Sequence, residues 1–340
     1  MIKVSVPGKV HLIGEHAVVY NEPAIIAAVG KRTTIEARKA ENISVTDSGM
    51  DFKIEWPVKE VKDAAKKAQE LWQAGFEKKD FSEVFSFVKG NDFKKAAIGF
   101  VLDKLGIESG VYLRISSEIP IGSGIGSSAS LAVAIAKAVS GVYGKNLSNE
   151  EVNNLAYEIE KFKHGAPSGG DNSACCFGGL LWFQKGSPNN IIMPLRDEIP
   201  HKLENFVLVY TKPPVKTTGE LVQQVRNLDD VFRYKRMKHI GKLAHEMREI
   251  LKNKNYNRMK EIINDTHKNL AELGVSIKEI DEIAETVRKI GGAAKLCGAG
   301  GGGIMLCWHE DKNKLVHTVE NLGYKPIETE LAVEGCRIEK

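Results

Sequence analysis

The sequence holds no window that approaches eighteen uninterrupted apolar residues, so no membrane-spanning helix is expected. Its opening, MIKVSVPGK, lacks the apolar stretch of a secretory leader, and a cytoplasmic protein with no membrane partner is the expectation. No run of five like charges occurs, and 48 basic against 44 acidic residues leave a net charge of only +4. So weak a balance reads as a solvated surface, and no nucleic-acid partner is expected, although a mild positive excess suits polyanionic ligands. Cysteine is scarce as well. The five cysteines are odd in number and form no C-x-x-C pair, which argues against a disulfide framework and against a zinc site. Internal repeats and low-complexity segments are absent.

What is present is ordinary for a globular protein: 42% hydrophobic and 27% charged residues in a chain of 340. Such a chain buries about three quarters of its unfolded surface and makes one large or two modest domains. Residues 2–56 read as strands, with Ile2, Val4 and Val6 alternating and EPAIIAAV, TTIEA and NISVTD following. Residues 59–105 take helical spacing, broken at Gly90-Asn91-Asp92. VYLRISSEI, 111–119, alternates again, and a nearly all-apolar helix spans about 128–143. Ser148 and Glu151 form a capping box at the head of the next helix. GGLLWFQKG and NNIIMPL read as strands. The polar run RDEIPHKLEN, around 195–205, marks the expected boundary between domains 1–200 and 201–340. The second half reads as a strand, three or four helices over 217–290, two strands, a helix near 310–322 and two final strands. That order predicts an α+β design, an antiparallel sheet with helices on one face.

The most informative stretch is PIGSGIGSS, where glycines 122, 124 and 126 lie between a strand and the buried helix. Glycine permits close backbone approach and positive φ. The helix that follows offers unpaired N–H groups and a positive dipole end. The combination makes an anion site, to which Ser127 and Ser128 add hydroxyls. No lysine precedes the serines, which excludes a Walker A loop. No acidic residue stands about twenty positions on, as a dinucleotide fingerprint requires. Alone, the loop also reads as a plain turn and cap. Two further segments point to a ligand: Pro7-Gly8-Lys9 continuing to Gly14-Glu15-His16, and KLCGAGGGG from Lys295 to Gly303. Four consecutive glycines between apolar strands weaken both unless a ligand or another backbone comes close.

In order and spacing, PGKVHLIGEH, PIGSGIGSSAS and KLCGAGGGG resemble the three signature motifs of the GHMP kinase superfamily. Within it, PGKVHLIGEHAVVYNEPAI, HGAPSGGDN (164–172) and LAELGVS (270–276, with His267 upstream) are similar to the mevalonate kinases. The likeness covers most of the chain and is weakest over 57–100. It implies a two-domain α+β fold: a ribosomal-protein-like, ATP-binding first domain and a ferredoxin-like second domain, whose last strand can return to the first sheet. It implies a phosphotransferase that moves the γ-phosphate of ATP to the 5-hydroxyl of mevalonate. Mg2+ would be the cofactor, ATP and mevalonate the small-molecule partners, and a homodimer the candidate assembly.

The resemblance also assigns roles. Asp171 would orient the attacking hydroxyl and take its proton, although an unperturbed aspartate, with pKa near ~4, is a weak base. Lys9 would keep that carboxylate ionised and stabilise the developing alkoxide. Pro120, Gly122, Ser123, Gly124, Ile125, Gly126, Ser127 and Ser128 would bind ATP. Ser128 and Glu160 would hold Mg2+, which prefers hard oxygens. Lys9, Glu15, His16, Asp171, Lys216 and Thr218 would contact the substrate, while His164, Ser168 and Asn172 shape the loop of the aspartate. Read without the resemblance, Asp171 is a turn residue, Glu160 lies at the edge of its helix's buried face, and His16 equally fits a core. One departure stands out. Pro214-Val215-Lys216-Thr217-Thr218 occupies the place of the family's Pro-Arg-x-Thr, so a planar two-pronged grip on a carboxylate becomes a point charge. Another acceptor (phosphomevalonate, homoserine or a sugar) or a non-catalytic ligand sensor would share much of this pattern. Intact Lys9, Ser128, Glu160 and Asp171 count against the sensor.

Overall fold

The computed structural model describes residues 1–48, 50–120 and 123–339. Strands β1 (Ile2–Ile13) and β2 (Pro23–Ala40) pair antiparallel along most of their length, joined through a single 3-10 turn at Ala17–Tyr20. Strands β3 (Ile43–Asp47) and β4 (Met50–Trp56) follow, then helices α1 (Val58–Lys78), α2 (Ser82–Phe87) and α3 (Asn91–Lys104). Strand β5 (Gly110–Ser117) leads into α4 (Ser127–Val142), α5 (Asn149–His164) and α6 (Gly170–Phe177), and the first half closes with β6 (Leu180–Gln184) and β7 (Ile191–Pro194). The second half holds β8 (Leu203–Tyr210), α7 (Thr218–Arg226), α8 (Asp230–Lys252), α9 (Tyr256–Glu272) and α10 (Lys278–Lys289). It ends with β9 (Ala293–Leu296), β10 (Ile304–Trp308), α11 (Lys312–Asn321), β11 (Pro326–Leu331) and β12 (Arg337–Ile338).

The main path of the sheet runs β4-β3-β5-β2-β11-β8-β10-β9. The halves meet where Leu331 of β11 pairs with Val29 of β2, and β12 pairs with β1 beside Val4 and Ser5. Only β3 and β5 run parallel among the described pairs. The expected α+β layering is present. The polar run near 195–205 is not slack chain: Leu195 and Ile199 are buried, and Glu198 is gripped by Arg248 and Lys252.

Two apolar clusters divide β1 between them. Val4 and Val6 pack with Phe100, Ile135 and Phe162, and the rings of Phe100 and Phe162 meet edge to face at 5.8 Å. Val10 and Leu12 pack instead with Phe206, Leu208, Met247 and Met305 of the second half. Lys9 therefore sits where one core hands over to the other. Helix α4 is buried nearly all round, as its composition predicts, and α5 starts on the expected Ser148–Glu151 capping box. HGAPSGGDN departs from expectation: from Gly170 it is helical rather than a loop. No helix among the described residues is long and apolar enough to cross a membrane.

Candidate active site

The Pro-Gly-Lys segment and the phosphate loop are built against each other. Proline offers no N–H to the ladder, and the β1–β2 register shifts between Pro7 and Gly8. A Cβ on Gly8 would lie 2.6 Å from the carbonyl oxygen of Ile125. With glycine there, the Lys9 N–H donates to that same carbonyl at 2.9 Å. Gly126, at φ 82°, leaves room for the Lys9 side chain, since a Cβ would stand 2.8 Å from Lys9 Cγ. The Ile125 side chain is buried in the core, and Ser123 Oγ donates to the Pro120 carbonyl at 2.6 Å. These two side chains hold the loop together from inside. Pro120 is exposed, Gly124 faces open space, and Gly122 lies outside the described residues. Ser127 and Ser128 are half-buried at the start of α4, where no side chain caps the helix and its first N–H groups stay open.

Lys9 Nζ and Asp171 Oδ2 stand 2.8 Å apart. The lysine is buried, while the aspartate side chain keeps 42% of its surface exposed. Asp171 lies in the first turn of α6, where a negative charge is favoured by the helix dipole. That short helix is pinned by tertiary contacts. Asn172 Nδ2 donates to Asn153 Oδ1 at 2.7 Å, and Gly170 packs close to Ile26 and Phe183. Burial works to raise the Asp171 carboxyl, but the charge and hydrogen bond of Lys9 outweigh it and hold its pKa below the ordinary value. Burial likewise opposes the Lys9 ammonium, and Asp171 raises its pKa in spite of it. Both groups are charged.

Glu160, on α5, is buried rather than at the solvated edge its spacing suggests. Ser128 Oγ donates to its Oε2 at 3.3 Å, and its Oε1 is buried with no partner among the described residues. His164 Nε2 lies 3.1 Å from Ser128 Oγ. Burial, and then the charge of Asp171, push the Glu160 carboxyl up to about 8. An unpartnered buried carboxylate oxygen beside a hydroxyl fits a hard divalent cation, whose charge would offset both the burial and the repulsion from Asp171. No group of three His, Cys, Asp or Glu residues among the described residues could cage a metal, so its remaining ligands would be phosphate and water oxygens.

Glu15 and His16 come from a turn with unusual backbone, Gly14 at φ 108° and His16 at φ 58°. Both side chains are engaged by KLCGAGGGG. Lys295 Nζ donates to Glu15 Oε1, and His16 Nε2 meets the Ala299 carbonyl at 2.9 Å. The glycine run itself packs on protein. A Cβ on Gly300 would come within 2.2 Å of the Val275 carbonyl oxygen, and one on Gly302 within 2.7 Å of the Lys212 carbonyl oxygen. Close approach of another backbone thus requires glycine at 300 and 302. Lys216 Nζ donates to Gln224 Oε1 at 2.6 Å, and Thr218 is exposed in the first turn of α7, which Thr217 caps.

His11 escaped the sequence reading. It lies two residues beyond Lys9 on β1, hence on the same face of the strand. Burial, then Lys9, push its imidazole down to about 3, so it is neutral beside Asp171. Strand alternation from Lys9 was the signal available.

Family models for the GHMP kinases match this chain twice, the N terminal domain over residues 91–179 and the C terminal over 247–325. A mevalonate kinase from Thermococcus sibiricus is 34% identical over 99% of this chain and 98% of its own length. The crystal structure of the Methanococcus jannaschii mevalonate kinase superposes with a TM-score of 0.82 at 29% identity, covering 99% of this chain and 98% of that one. The L. major mevalonate kinase, solved in complex with R-mevalonate, gives a TM-score of 0.75 at 25% identity over 98% of this chain and 96% of that one. Converging motifs, a lysine–aspartate pair at the mouth of an open helix end, and relatives alike over their full length together place this chain in the mevalonate kinase family of the GHMP kinases.

Proposed function

We propose that the chain transfers the γ-phosphate of ATP to the 5-hydroxyl of mevalonate, giving 5-phosphomevalonate and ADP. The observation that carries this reading is the Lys9–Asp171 pair at 2.8 Å, sealed at the ammonium and open at the carboxylate, in a site that also holds the start of α4. The choice of acceptor is supported by the full-length likeness to mevalonate kinases.

Phosphoryl transfer asks a protein mainly for positioning and charge compensation. The backbone of Pro120–Ser128 and the open N–H groups of α4 would hold the phosphates, with Ser127 and Ser128 adding hydroxyls. Ser128 Oγ and the Glu160 carboxylate would hold Mg2+, which when bound neutralises phosphate charge. Asp171 accepts the hydrogen bond of the 5-hydroxyl. As the new oxygen–phosphorus bond forms and the bond to the bridging oxygen of ADP breaks, the hydroxyl proton passes to Asp171. Its lowered pKa makes it a late proton acceptor, so orientation is its larger contribution. Lys9 compensates the charge that develops on the attacking oxygen. Lys216 and Thr218 would meet the substrate carboxylate, the lysine as a point charge.

A coupled ADP-release assay over mevalonate, phosphomevalonate, homoserine and a hexose tests the reading. Turnover is expected with mevalonate. Activity on homoserine or the hexose with none on mevalonate overturns it.

A further inference from the structure

Lys295 is fully buried and belongs to none of the steps above. An ammonium has three N–H donors, and three oxygens are within reach: Glu15 Oε1, the His11 carbonyl at 3.1 Å and the Leu296 carbonyl at 3.0 Å. The lysine is thus saturated and immobile. Glu15 is only half used, because its Oε2 is buried and has no partner among the described residues. Buried polar atoms are nearly always paired, and an exception calls for a cause. The backbone around it is held in the left-handed region at Gly14 and at His16, a non-glycine residue, which is retained only where the surroundings impose it. Here the surroundings are residues 295–299, which grip the His11 carbonyl, the Glu15 carboxylate and the His16 ring. After all three grips, Glu15 Oε2 is left over. Lys295 Nζ ties the Glu15 carboxylate to the carbonyl of His11, two residues beyond Lys9 on β1.

We infer that Lys295 is a positioning residue for the acceptor: by binding one oxygen of Glu15 it presents the other, Oε2, to the hydroxyl of mevalonate that does not react. The inference rests on the mevalonate reading. A carboxylate only accepts hydrogen bonds. The acceptor brings two hydroxyls and a carboxylate, and its own carboxylate has no proton to donate. Asp171 engages the 5-hydroxyl, so the 3-hydroxyl is the donor that remains. Lys295 touches no substrate in this arrangement. It decides which oxygen of Glu15 is free and where that oxygen stands.

The test compares mevalonate with 5-hydroxy-3-methylpentanoate, which lacks the 3-hydroxyl, in the full chain. The wild type should prefer mevalonate by about a hundredfold or more in kcat/KM, since a site built to accept a hydroxyl rejects the analogue without it. The double variant Glu15→Leu with Lys295→Met replaces the sealed pair by apolar groups and restores the balance of buried charge. It should melt close to the wild type, yet show a mevalonate KM raised about tenfold or more, an ATP KM within about twofold, and little preference between the two acceptors. A stable double variant with the wild-type mevalonate KM and the wild-type preference overturns the inference, because the pair is then structural alone. Glu15→Gln covers the case in which the double variant does not fold: a preference reduced about tenfold supports the inference, and an unchanged one overturns it. A wild-type chain inert toward mevalonate but active on another alcohol sinks the function reading instead, and the inference falls with it.

Discussion

Two lysine–carboxylate pairs are anchored on β1, one through Lys9 and one through the His11 carbonyl, and they differ in their access to water. The Lys9 and Asp171 side chains are 8% and 42% exposed, while those of Lys295 and Glu15 are 0% and 1% exposed. The open carboxylate can meet an incoming hydroxyl and exchange a proton with it. In the sealed pair Lys295 holds one carboxylate oxygen, so its value lies in fixing where the other stands. Breaking a sealed pair strands a charge in a medium that solvates it poorly, whereas an open pair can be relieved by water. The same two functional groups therefore serve chemistry in one place and geometry in the other, and solvent access decides which.

The largest effect that can break this comparison is expected at Asp171. Asp171→Ala should fold yet lose about 10²- to 10⁴-fold or more in turnover, read by ADP release at saturating substrates. Wild-type turnover in that variant would remove the distinction between the pairs. Lys295→Met alone should instead cost about 3–5 kcal/mol of stability, read by denaturant unfolding. A loss below about 1 kcal/mol would put the sealed pair in the class of exposed ion pairs. Gly126→Ala probes the open pair from behind. Its added Cβ would crowd Lys9 Cγ at a residue held at φ 82°. We expect about 1–2 kcal/mol of destabilisation and a turnover lowered about ten- to a hundredfold by misplacement of Lys9.

The last prediction concerns His11, two residues beyond Lys9 on β1. Its imidazole is pushed from 6.5 to about 3. Below pH 6.5 the unfolded chain takes up a proton there and the folded chain does not. Stability is therefore lost as pH falls from 6.5 toward 3, at about 1.4 kcal/mol per pH unit once the unfolded form is fully protonated. His11→Leu should flatten the acid limb of a melting-temperature profile over that window by about this slope. Superposable profiles would mean that His11 is not held neutral.

Much of this was legible in the chain. The buried α4, the Ser148–Glu151 cap and the glycine loop follow from composition and spacing over a few residues, and the structure has each of them. Helix α6 was not legible, because Ser168-Gly169-Gly170 punctuates as a turn. Its contacts with Asn153, Ile26 and Phe183 come from elsewhere in the chain. Glu160 was placed at a helix edge, since spacing gives an angle on one helix and not what packs over it. The four glycines signalled close approach of a ligand or another backbone, and nothing local shows that Val275 and Lys212 approach Gly300 and Gly302. Lys295 resembles any strand lysine until β9 is laid beside the Gly14–His16 turn.

By itself, then, the sequence determined which segments turn, cap and cradle, since those are governed by sterics and hydrogen bonds between near neighbours. Only the tertiary structure decided which charges are paired and how dry each pair is. That depends on partners as far apart as Glu15 and Lys295, separated by 280 positions, and on the apolar packing that shuts water out around them.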